Sequence, residues 1–292
     1  MQLLSEHACF GGVQRFYQHD SSAIGLPMKF GVYLPPQALQ KKEATQKNEA
    51  MQGKVPVLFY LAGLTCNEET FAIKAGAQRF AALHGIAIVT PDTSPRGAGV
   101  PGESDYWDFG MGAGFYIDAT QAAWSKHYRM ETYVASELPG LLASELPLDM
   151  ARAGIFGHSM GGHGALTLAL KYPELFRSVS AFAQIAAPAQ CPWGEKAFSG
   201  YLGDDREQWL AHDATALMAQ RQTPFPAGIL VDQGLADKFL VNQLHPDKFE
   251  AACAQAGQPL TLRWHEGYDH GYYFIATLIG DHLAHHARQL QA

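Results

Sequence analysis

The chain has 292 residues, of which 47% are hydrophobic, 11% aromatic and 17% charged, and its formal net charge is −7. This composition excludes a disordered chain, because it supplies enough apolar side chains for a large buried core. The acidic balance, without any block of five or six like charges, also argues against a nucleic-acid or anionic-membrane partner.

The first residues and the cysteines indicate in which cellular compartment the protein is found. The start, MQLLSEHACFGGVQRF, has neither the basic leader nor the apolar core of a signal peptide. The longest apolar stretch, VPVLFYLAGL, is about half of what spans a bilayer. Four cysteines lie far apart and form no C-x-x-C pair: Cys9, Cys66, Cys191 and Cys253. We therefore expect free thiols and a cytoplasmic protein.

Short aliphatic runs alternate along the chain with amphipathic stretches. The aliphatic runs predict strands at 28–34, 55–61, 85–90, 151–156, 178–183, 228–233 and 260–264. The amphipathic stretches predict helices at 69–83, 131–145, 160–171, 205–219, 246–256 and 272–289. Several strands are apolar on both faces, as a strand between two helical layers must be. The alternation predicts one α/β domain over residues 1–292, with a mostly parallel central sheet and helices on both faces.

Glycine, proline and polar residues mark where we expect the predicted helices to end or break and where we expect loops. Gly85 predicts the end of the first helix, and Pro139 predicts a kink or a break in the second. Residues 37–54 are polar and lack aromatics, which predicts a surface insertion. The Gly- and Pro-rich connections 91–117 and 184–204 are long for a compact domain, and loops of that length usually carry function.

The motif GHSMGG lies between a predicted strand and a predicted helix. It matches G-x-S-x-G, the nucleophile elbow, in which a strained turn presents the serine hydroxyl. Gly157 and Gly161 supply the small residues that such a turn needs, two positions before and after Ser159. The backbone N–H of Met160, at the start of the helix, then lies where an oxyanion forms. We predict that Ser159 is a nucleophile; the alternative is an ordinary turn serine.

A serine nucleophile needs a base and an acid, which follow it in this type of fold in the order acid, then histidine. GILVDQGLADKF offers two acids. Asp232 falls inside the apolar strand, whereas Asp237 comes after Gly234, in the loop that faces the site. We favour Asp237 as the acid, and for Asp232 we expect structural hydrogen bonding near the strand end.

The base should follow the last strand, where LTLRWHEGYDHGYYF contains two histidines. His265 directly follows the strand run and can still belong to it. His270 lies in a glycine-bounded loop before the final helix, so we favour it. For the adjacent Asp269 we expect a loop or helix-capping role.

The other histidines near these motifs have less specific interpretations. His158 and His163 flank the elbow too closely to reach the Ser159 hydroxyl correctly, so we expect them to pack around it. We expect the last helix to have a solvated or partly buried face that carries His282, His285 and His286. Their spacing suits a metal ion, but no carboxylate or cysteine accompanies them, and we expect no metal.

A second oxyanion donor normally comes from the loop after an early strand, here VLFYLAGLTCNEETF. Leu64, directly after Gly63, is the predicted backbone donor. Cys66 then lies close to the site, and we interpret it as a wall residue because no basic residue accompanies it.

Six segments together resemble the S-formylglutathione hydrolase family, also called the esterase D family: LAGLTC, DFGMGAGFYIDAT, GHSMGGHGAL, CPWGEKAFSGYLG, DQGLADKFL and GYDHGYYF. The match runs nearly end to end. It implies an α/β-hydrolase fold and hydrolysis of S-formylglutathione to formate and glutathione in formaldehyde detoxification, without a cofactor. It also implies the triad Ser159, Asp237 and His270, with oxyanion N–H groups from Leu64 and Met160.

The chain departs from the family pattern at Ala62 and Asn67, in the segment FAQIAAPAQ and in the length of 37–54. These departures leave the triad intact and concern the shape of the acyl pocket.

If the substrate is S-formylglutathione, a narrow acyl pocket should exclude larger acyl groups. We predict that Cys66, Trp107 and Trp193 form its walls. Three cations are candidates for the carboxylates of glutathione, with solvated surface charge as the alternative: Arg96, Lys196 and Lys238.

Two other functions stay open from the sequence. One is a general carboxylesterase for short acyl esters, and the other is a catalytically silent hydrolase fold that serves as a binding module. The expected partner is a small-molecule thioester, and the sequence leaves open whether two copies form a homodimer.

Overall fold

In the computed structural model, which describes residues 1–40 and 53–291, nine strands join one sheet. The strands are Gln2–Cys9 (β1), Gly12–Asp20 (β2), Pro27–Leu34 (β3), Val55–Leu61 (β4), Ala87–Pro91 (β5), Leu148–His158 (β6), Phe176–Phe182 (β7), Ile229–Gly234 (β8) and Leu260–His265 (β9). Their order across the sheet is β1-β2-β3-β5-β4-β6-β7-β8-β9. The six strands from β5 to β9 in this order run parallel, and β1, β2 and β3 form an antiparallel extension.

Helices cover the sheet on both faces, which confirms the predicted α/β-hydrolase fold. The α-helices are Pro36–Leu39 (α1), Thr70–Lys74 (α2), Gln78–His84 (α3), Met130–Thr132 (α4), Leu138–Glu145 (α5), Met160–Lys171 (α6), Pro192–Leu202 (α7), Arg206–Trp209 (α8), Ala214–Ala219 (α9), Pro246–Ala256 (α10) and Tyr272–Leu290 (α11). Single π-helical turns occupy Tyr133–Glu137 and Leu240–Leu244, and short 3₁₀ turns occupy Pro188–Gln190 and Leu210–His212. Among residues 1–40 and 53–291, no helix has both the length and the hydropathy that crossing a membrane requires.

The buried centre of the sheet is β4, which lies between β5 and β6. Every residue of β4 is buried, and α6 packs against β4, β6 and β7. Since parallel strands end at the same edge of the sheet, the loops after β4, β6, β8 and β9 come together there. That edge holds the candidate site.

The N-terminal strands β1 and β2 are absent from the sequence prediction. Most side chains of β1 are exposed, so the strand has no apolar alternation to detect. Phe10 and Gly11 connect the two strands with φ angles of 48° and 74°. The hairpin is fixed by its turn and by pairing with β3.

One loop prediction and two helix predictions need correction. The connection 184–204 is not irregular throughout, because it contains α7. The helix predicted at 69–83 is divided between α2 and α3 near Gly76, whose φ of 65° lies in the left-handed region. The helix predicted at 205–219 is interrupted at Asp213, whose carboxylate accepts a hydrogen bond from the Ala216 N–H and caps α9.

Two predicted helix boundaries are confirmed. Gly85 ends α3 in the left-handed conformation, with φ of 63°. Pro139 lies in the first turn of α5, directly after a π-helical turn that divides the predicted helix 131–145.

Most of the predicted surface insertion at 37–54 lies outside the described residues. Its first residues belong to α1, which packs on β2 and β3.

Candidate active site

Ser159 occupies the turn between β6 and α6 in a strained conformation. Its φ of 58° and ψ of −119° are rare for a residue with a side chain. The turn is held by the Ser159 N–H, which donates to the Phe182 carbonyl at 3.0 Å. Ser159 is only 3% exposed, so its hydroxyl is presented in a confined space.

The glycines of the elbow have no room for side chains. A Cβ atom on Gly157 would collide with the Gly161 carbonyl, and one on Gly161 would collide with the Leu61 carbonyl at the end of β4. Gly162 and Gly164 allow close approach of Gln184 and the Tyr116 ring. The requirement for small residues at Gly157 and Gly161 is therefore confirmed.

Asp237 and His270 form the hydrogen-bonded pair that the chain order predicted. His270 Nδ1 lies 2.5 Å from Asp237 Oδ2, and the carboxylate can only accept, so Nδ1 donates. Asp237 Oδ1 accepts from the Phe239 N–H at 2.8 Å, which fixes the carboxylate in the loop after β8. This arrangement holds the imidazole in one tautomer, with Nε2 free to accept a proton.

Ser159 and His270 line the same cavity, which has a volume of about 160 Å³. The walls come from the loops after β4, β6 and β9, the connection before α4, and the α7 and β8–α10 segments. The lining residues are Gly63, Leu64, Cys66, Trp107, His158, Ser159, Trp193, Phe239, His270 and Tyr272. The structure thus brings together the three predicted triad residues and all three predicted wall residues.

The two predicted oxyanion donors have no competing acceptor. Among the described residues, neither the Leu64 N–H nor the Met160 N–H donates a hydrogen bond. The Leu64 loop is held in place by the Tyr116 hydroxyl, which donates to the Ala62 carbonyl at 2.9 Å. The Thr65 N–H donates to the Gly112 carbonyl at 2.9 Å. Two free N–H groups beside the serine suit an oxyanion.

Asp232, the alternative acid, is engaged elsewhere. Its carboxylate accepts two hydrogen bonds from Arg263 at 2.6 Å, and one each from His265 and His282 at 3.0 Å. Burial opposes ionisation, yet these hydrogen bonds outweigh it and hold the pKa of Asp232 below its usual range. Asp232 therefore ties β8 to β9 and α11, as the sequence suggested.

The prediction of a solvated or partly buried histidine face on α11 requires a correction, because these histidines are buried. His282 and His286 are fully buried and His285 is 9% exposed. His286 bridges the hydroxyls of Ser178 and Ser180 at 2.6 and 2.8 Å. Among residues 1–40 and 53–291, no three His, Cys, Asp or Glu side chains are placed to hold a metal ion.

His158 packs against the imidazole of His270, at a distance of 4.4 Å between ring centroids. Neither of its ring nitrogens has a hydrogen-bond partner among the described residues. Burial, with a further contribution from His270, lowers the pKa of His158 well below its usual range. A neutral ring therefore packs against His270.

Sequence reasoning missed Phe239 and Tyr272 as wall residues. The Phe239 ring meets the Trp193 ring at 4.6 Å and the His270 ring at 5.0 Å, between centroids. Both missed residues follow a triad residue within two positions, and that adjacency was the available signal.

Cys66 has the character of a wall residue. Burial raises the pKa of its thiol, so the thiolate that a nucleophilic cysteine needs is disfavoured.

The three candidate cations do not line this cavity. Lys196 pairs with Asp108 and lies 3.9 Å from the centre of the Tyr106 ring. Lys238 lies 4.9 Å from the centre of the Phe239 ring. Arg96 binds Asp92 and faces a neighbouring cavity.

Comparison with known proteins gives a consistent result. The model of the family described as "Putative esterase" matches residues 21–285. S-formylglutathione hydrolase of Mus musculus is 51% identical over 100% of this chain and 99% of its own length. The enzyme of that name from Paracoccus denitrificans is 50% identical, over 99% of this chain and 98% of its own. The solved structure of an S-formylglutathione hydrolase from Agrobacterium tumefaciens aligns with a TM-score of 0.92 at 46% identity, covering 99% of this chain and 100% of that one.

Proposed function

This chain belongs to the S-formylglutathione hydrolase family of esterases, and from that membership we propose that it hydrolyses S-formylglutathione to formate and glutathione in formaldehyde detoxification. Ser159 is the nucleophile, His270 the general base and Asp237 the acid that orients it. The observation that best supports this assignment is the 2.5 Å Asp237–His270 hydrogen bond beside a cavity shared with the strained Ser159.

The first half of the reaction forms a formyl-enzyme. His270 Nε2 takes the proton from the Ser159 hydroxyl as the oxygen attacks the formyl carbon. The carbonyl oxygen becomes an oxyanion, and the N–H groups of Leu64 and Met160 stabilise it. The carbon–sulfur bond then breaks, and the glutathione thiolate takes the proton from His270.

The second half uses water in place of the thiol. His270 removes a proton from a water molecule, and the resulting hydroxide attacks the formyl ester of Ser159. Collapse of the second tetrahedral intermediate releases formate, and His270 returns the proton to the Ser159 oxygen. Water is the only co-substrate of this sequence, and no step changes an oxidation state.

The size of the cavity supports a small acyl group. A volume of about 160 Å³, shared between the acyl group and the sulfur, leaves little space. Cys66, Trp107 and Trp193 are the walls that would reject longer chains. Because each extra methylene changes selectivity by only about 1–3 kcal/mol, the preference should fall in steps rather than abruptly.

The proposal also places the enzyme in the cytoplasm. All four cysteines are free, and reducing compartments keep thiols in that state.

A set of substrates that combines different acyl groups with different leaving groups tests the proposed function. We would measure kcat/KM for formyl, acetyl and butyryl groups, each with glutathione and with nitrophenol as leaving group. We expect formyl to exceed acetyl and acetyl to exceed butyryl, with glutathione favoured at matched acyl length. Equal efficiency for the two leaving groups would instead support a general short-chain carboxylesterase. Absence of turnover together with no labelling of Ser159 by a fluorophosphonate would indicate a binding module.

A further inference from the structure

A second cavity lies at the same edge of the sheet as Ser159 and has a volume of about 340 Å³. We call it the polar cavity, and its polar lining is Gln18, Lys29, Asn67, Glu68, Asp92 and Arg96. Only one short segment separates the two cavities, since Cys66 lines the catalytic one while Asn67 and Glu68 line the polar one. A ligand that occupies both would need to cross only this segment.

Glu68 is the unusual member of the polar cavity. It is 5% exposed, yet its carboxylate takes part in no hydrogen bond or ion pair with the side chains or backbone of other described residues. Thr90 contacts only its backbone carbonyl, at 2.7 Å. Burial, with a smaller contribution from Asp92, raises the pKa of Glu68. Because Glu68 lines the cavity and its carboxylate has no partner among the described residues, the carboxylate can accept hydrogen bonds from the ammonium group of a ligand.

Positive groups border the same space. Arg96 donates to Asp92 from Nε at 2.7 Å and from Nη2 at 2.8 Å, and Nη2 also reaches the Cys66 carbonyl at 3.0 Å. Its Nη1 has no hydrogen bond to a described residue. Lys29 is exposed at the rim and forms no ion pair within the described part of the chain. The polar cavity therefore offers the Glu68 carboxylate for an ammonium group. For a carboxylate it offers Lys29 and the Nη1 of Arg96, whose other donors bind Asp92 and the Cys66 carbonyl.

The spacing of the strands sets the scale of the separation that a ligand bound to both cavities would span. Neighbouring strands lie about 4.8 Å apart, so the loop after β5 lies roughly 10 Å from the loop after β6, with β4 between them. Glutathione is γ-glutamyl-cysteinyl-glycine, and an extended peptide spans about 3.3–3.6 Å per residue. The ammonium and α-carboxylate of its γ-glutamyl end thus lie roughly 7–10 Å from the sulfur.

We propose that the polar cavity binds the amino-acid end of the γ-glutamyl group, with Glu68 accepting from its ammonium and with Lys29 and Arg96 donating to its carboxylate. This inference rests on the proposed function, because it concerns the leaving group of the same reaction. These contacts are remote from the scissile bond, so they would position the thioester against Ser159.

The test compares S-formylglutathione with its glutaryl analogue, in which hydrogen replaces the ammonium group. A charge-assisted hydrogen bond is worth about 1.5–3 kcal/mol, so we expect the wild-type kcat/KM to fall about ten- to hundredfold on the analogue. Glu68→Gln should abolish this discrimination. The matched control is Glu69→Gln, which changes an exposed neighbour outside the cavity and should keep it.

Two further measurements distinguish failure of the polar-cavity proposal from failure of the proposed function. Lys29→Gln, at an exposed position where misfolding is not a concern, should raise the KM for S-formylglutathione while changing kcat little. S-formyl-N-acetylcysteamine, which lacks the γ-glutamyl group, reports on the proposed function itself. If the wild type uses it as well as S-formylglutathione, the glutathione assignment fails. If the wild type prefers S-formylglutathione but ignores loss of the ammonium, only the polar-cavity proposal is overturned.

Discussion

At the scale of single residues, the elbow depends on backbone atoms that approach too closely for any side chain. We predict that Gly161→Ala lowers kcat by orders of magnitude, because its methyl group would push the elbow away from the Leu61 carbonyl. The rate of labelling by a fluorophosphonate and the thermal midpoint of unfolding would be measured together. Gly140→Ala is the control, since a Cβ there meets no atom within 4 Å. Normal labelling of a stably folded Gly161→Ala protein would contradict the steric argument.

The two acids offer a second test at this scale. Asp237→Asn should lower kcat about 10³–10⁴-fold, because the imidazole loses the partner that fixes its tautomer. Asp232→Asn should act mainly on the free energy of unfolding, since its partners are Arg263, His265 and His282. Stopped-flow kinetics and urea denaturation of both variants would decide. If Asp232→Asn abolished turnover while Asp237→Asn lowered only the stability, Asp232 would be the catalytic acid and Asp237 the structural one.

The sequence predicted the triad because each member follows a strand in a fixed chain order. Ser159, Asp237 and His270 could be placed by motif and loop alone. The contact of His158 with His270 could not, because it joins the end of β6 to the loop after β9, which are far apart in the sequence. The polar cavity could not be predicted from the sequence either, since Lys29 and Glu68 come to line one cavity only through the pairing of β3 with β5.

At the scale of elements, the interior strands of the sheet were predicted well, whereas β1 and β2 at its exposed edge were not. Strand β4 was predicted with both its ends, since burial on both faces leaves an unbroken apolar run. Strand β1 carries no such pattern, and its place is set by pairing with β2. Helix α7 was missed because the prolines and glycines in its sequence are typical of a loop. In the structure, Pro192 occupies the first position of the helix, where its missing N–H does no harm.

The attachment of α11 to the sheet gives an element-scale prediction. The Ser180 hydroxyl lies 2.8 Å from both the His282 and the His286 rings. Ser180→Ala leaves two buried ring nitrogens unpaired, so the free energy of unfolding should fall by about 1–3 kcal/mol. Urea denaturation would measure the loss. Ser144→Ala, in the exposed part of α5, should change it by less than about 0.5 kcal/mol. Equal stabilities of the two variants would show that the network contributes nothing.

At the scale of the whole molecule, buried neutral histidines predict sensitivity to acid. Burial lowers the pKa of five of them: His158, His163, His282, His285 and His286. For His163 it falls to about 3, and for His285 to about 4. The unfolded chain binds protons at these positions near pH 6.5, whereas the folded protein does not, so stability is full above pH 6.5 and declines below it.

Each such histidine costs up to about 1.4 kcal/mol per pH unit between its pKa in the unfolded chain and its lower pKa in the folded protein. Urea denaturation at pH 7.5, 6.5 and 5.5 should therefore show a steep loss. His285→Gln should reduce the slope by roughly one proton. A free energy of unfolding that is constant from pH 7.5 to 5.5 would refute this account.

The central position of β4 has a consequence for the newly made chain. Val57 on β4 pairs with Ala153 on β6, which emerges from the ribosome only after the whole intervening segment has been translated. Until then, one long side of an entirely apolar strand has no partner, and such edges invite association with other chains. Closure of so distant a pairing is slow for entropic reasons. A strand that is completely buried in the finished enzyme is thus open to unwanted association during synthesis.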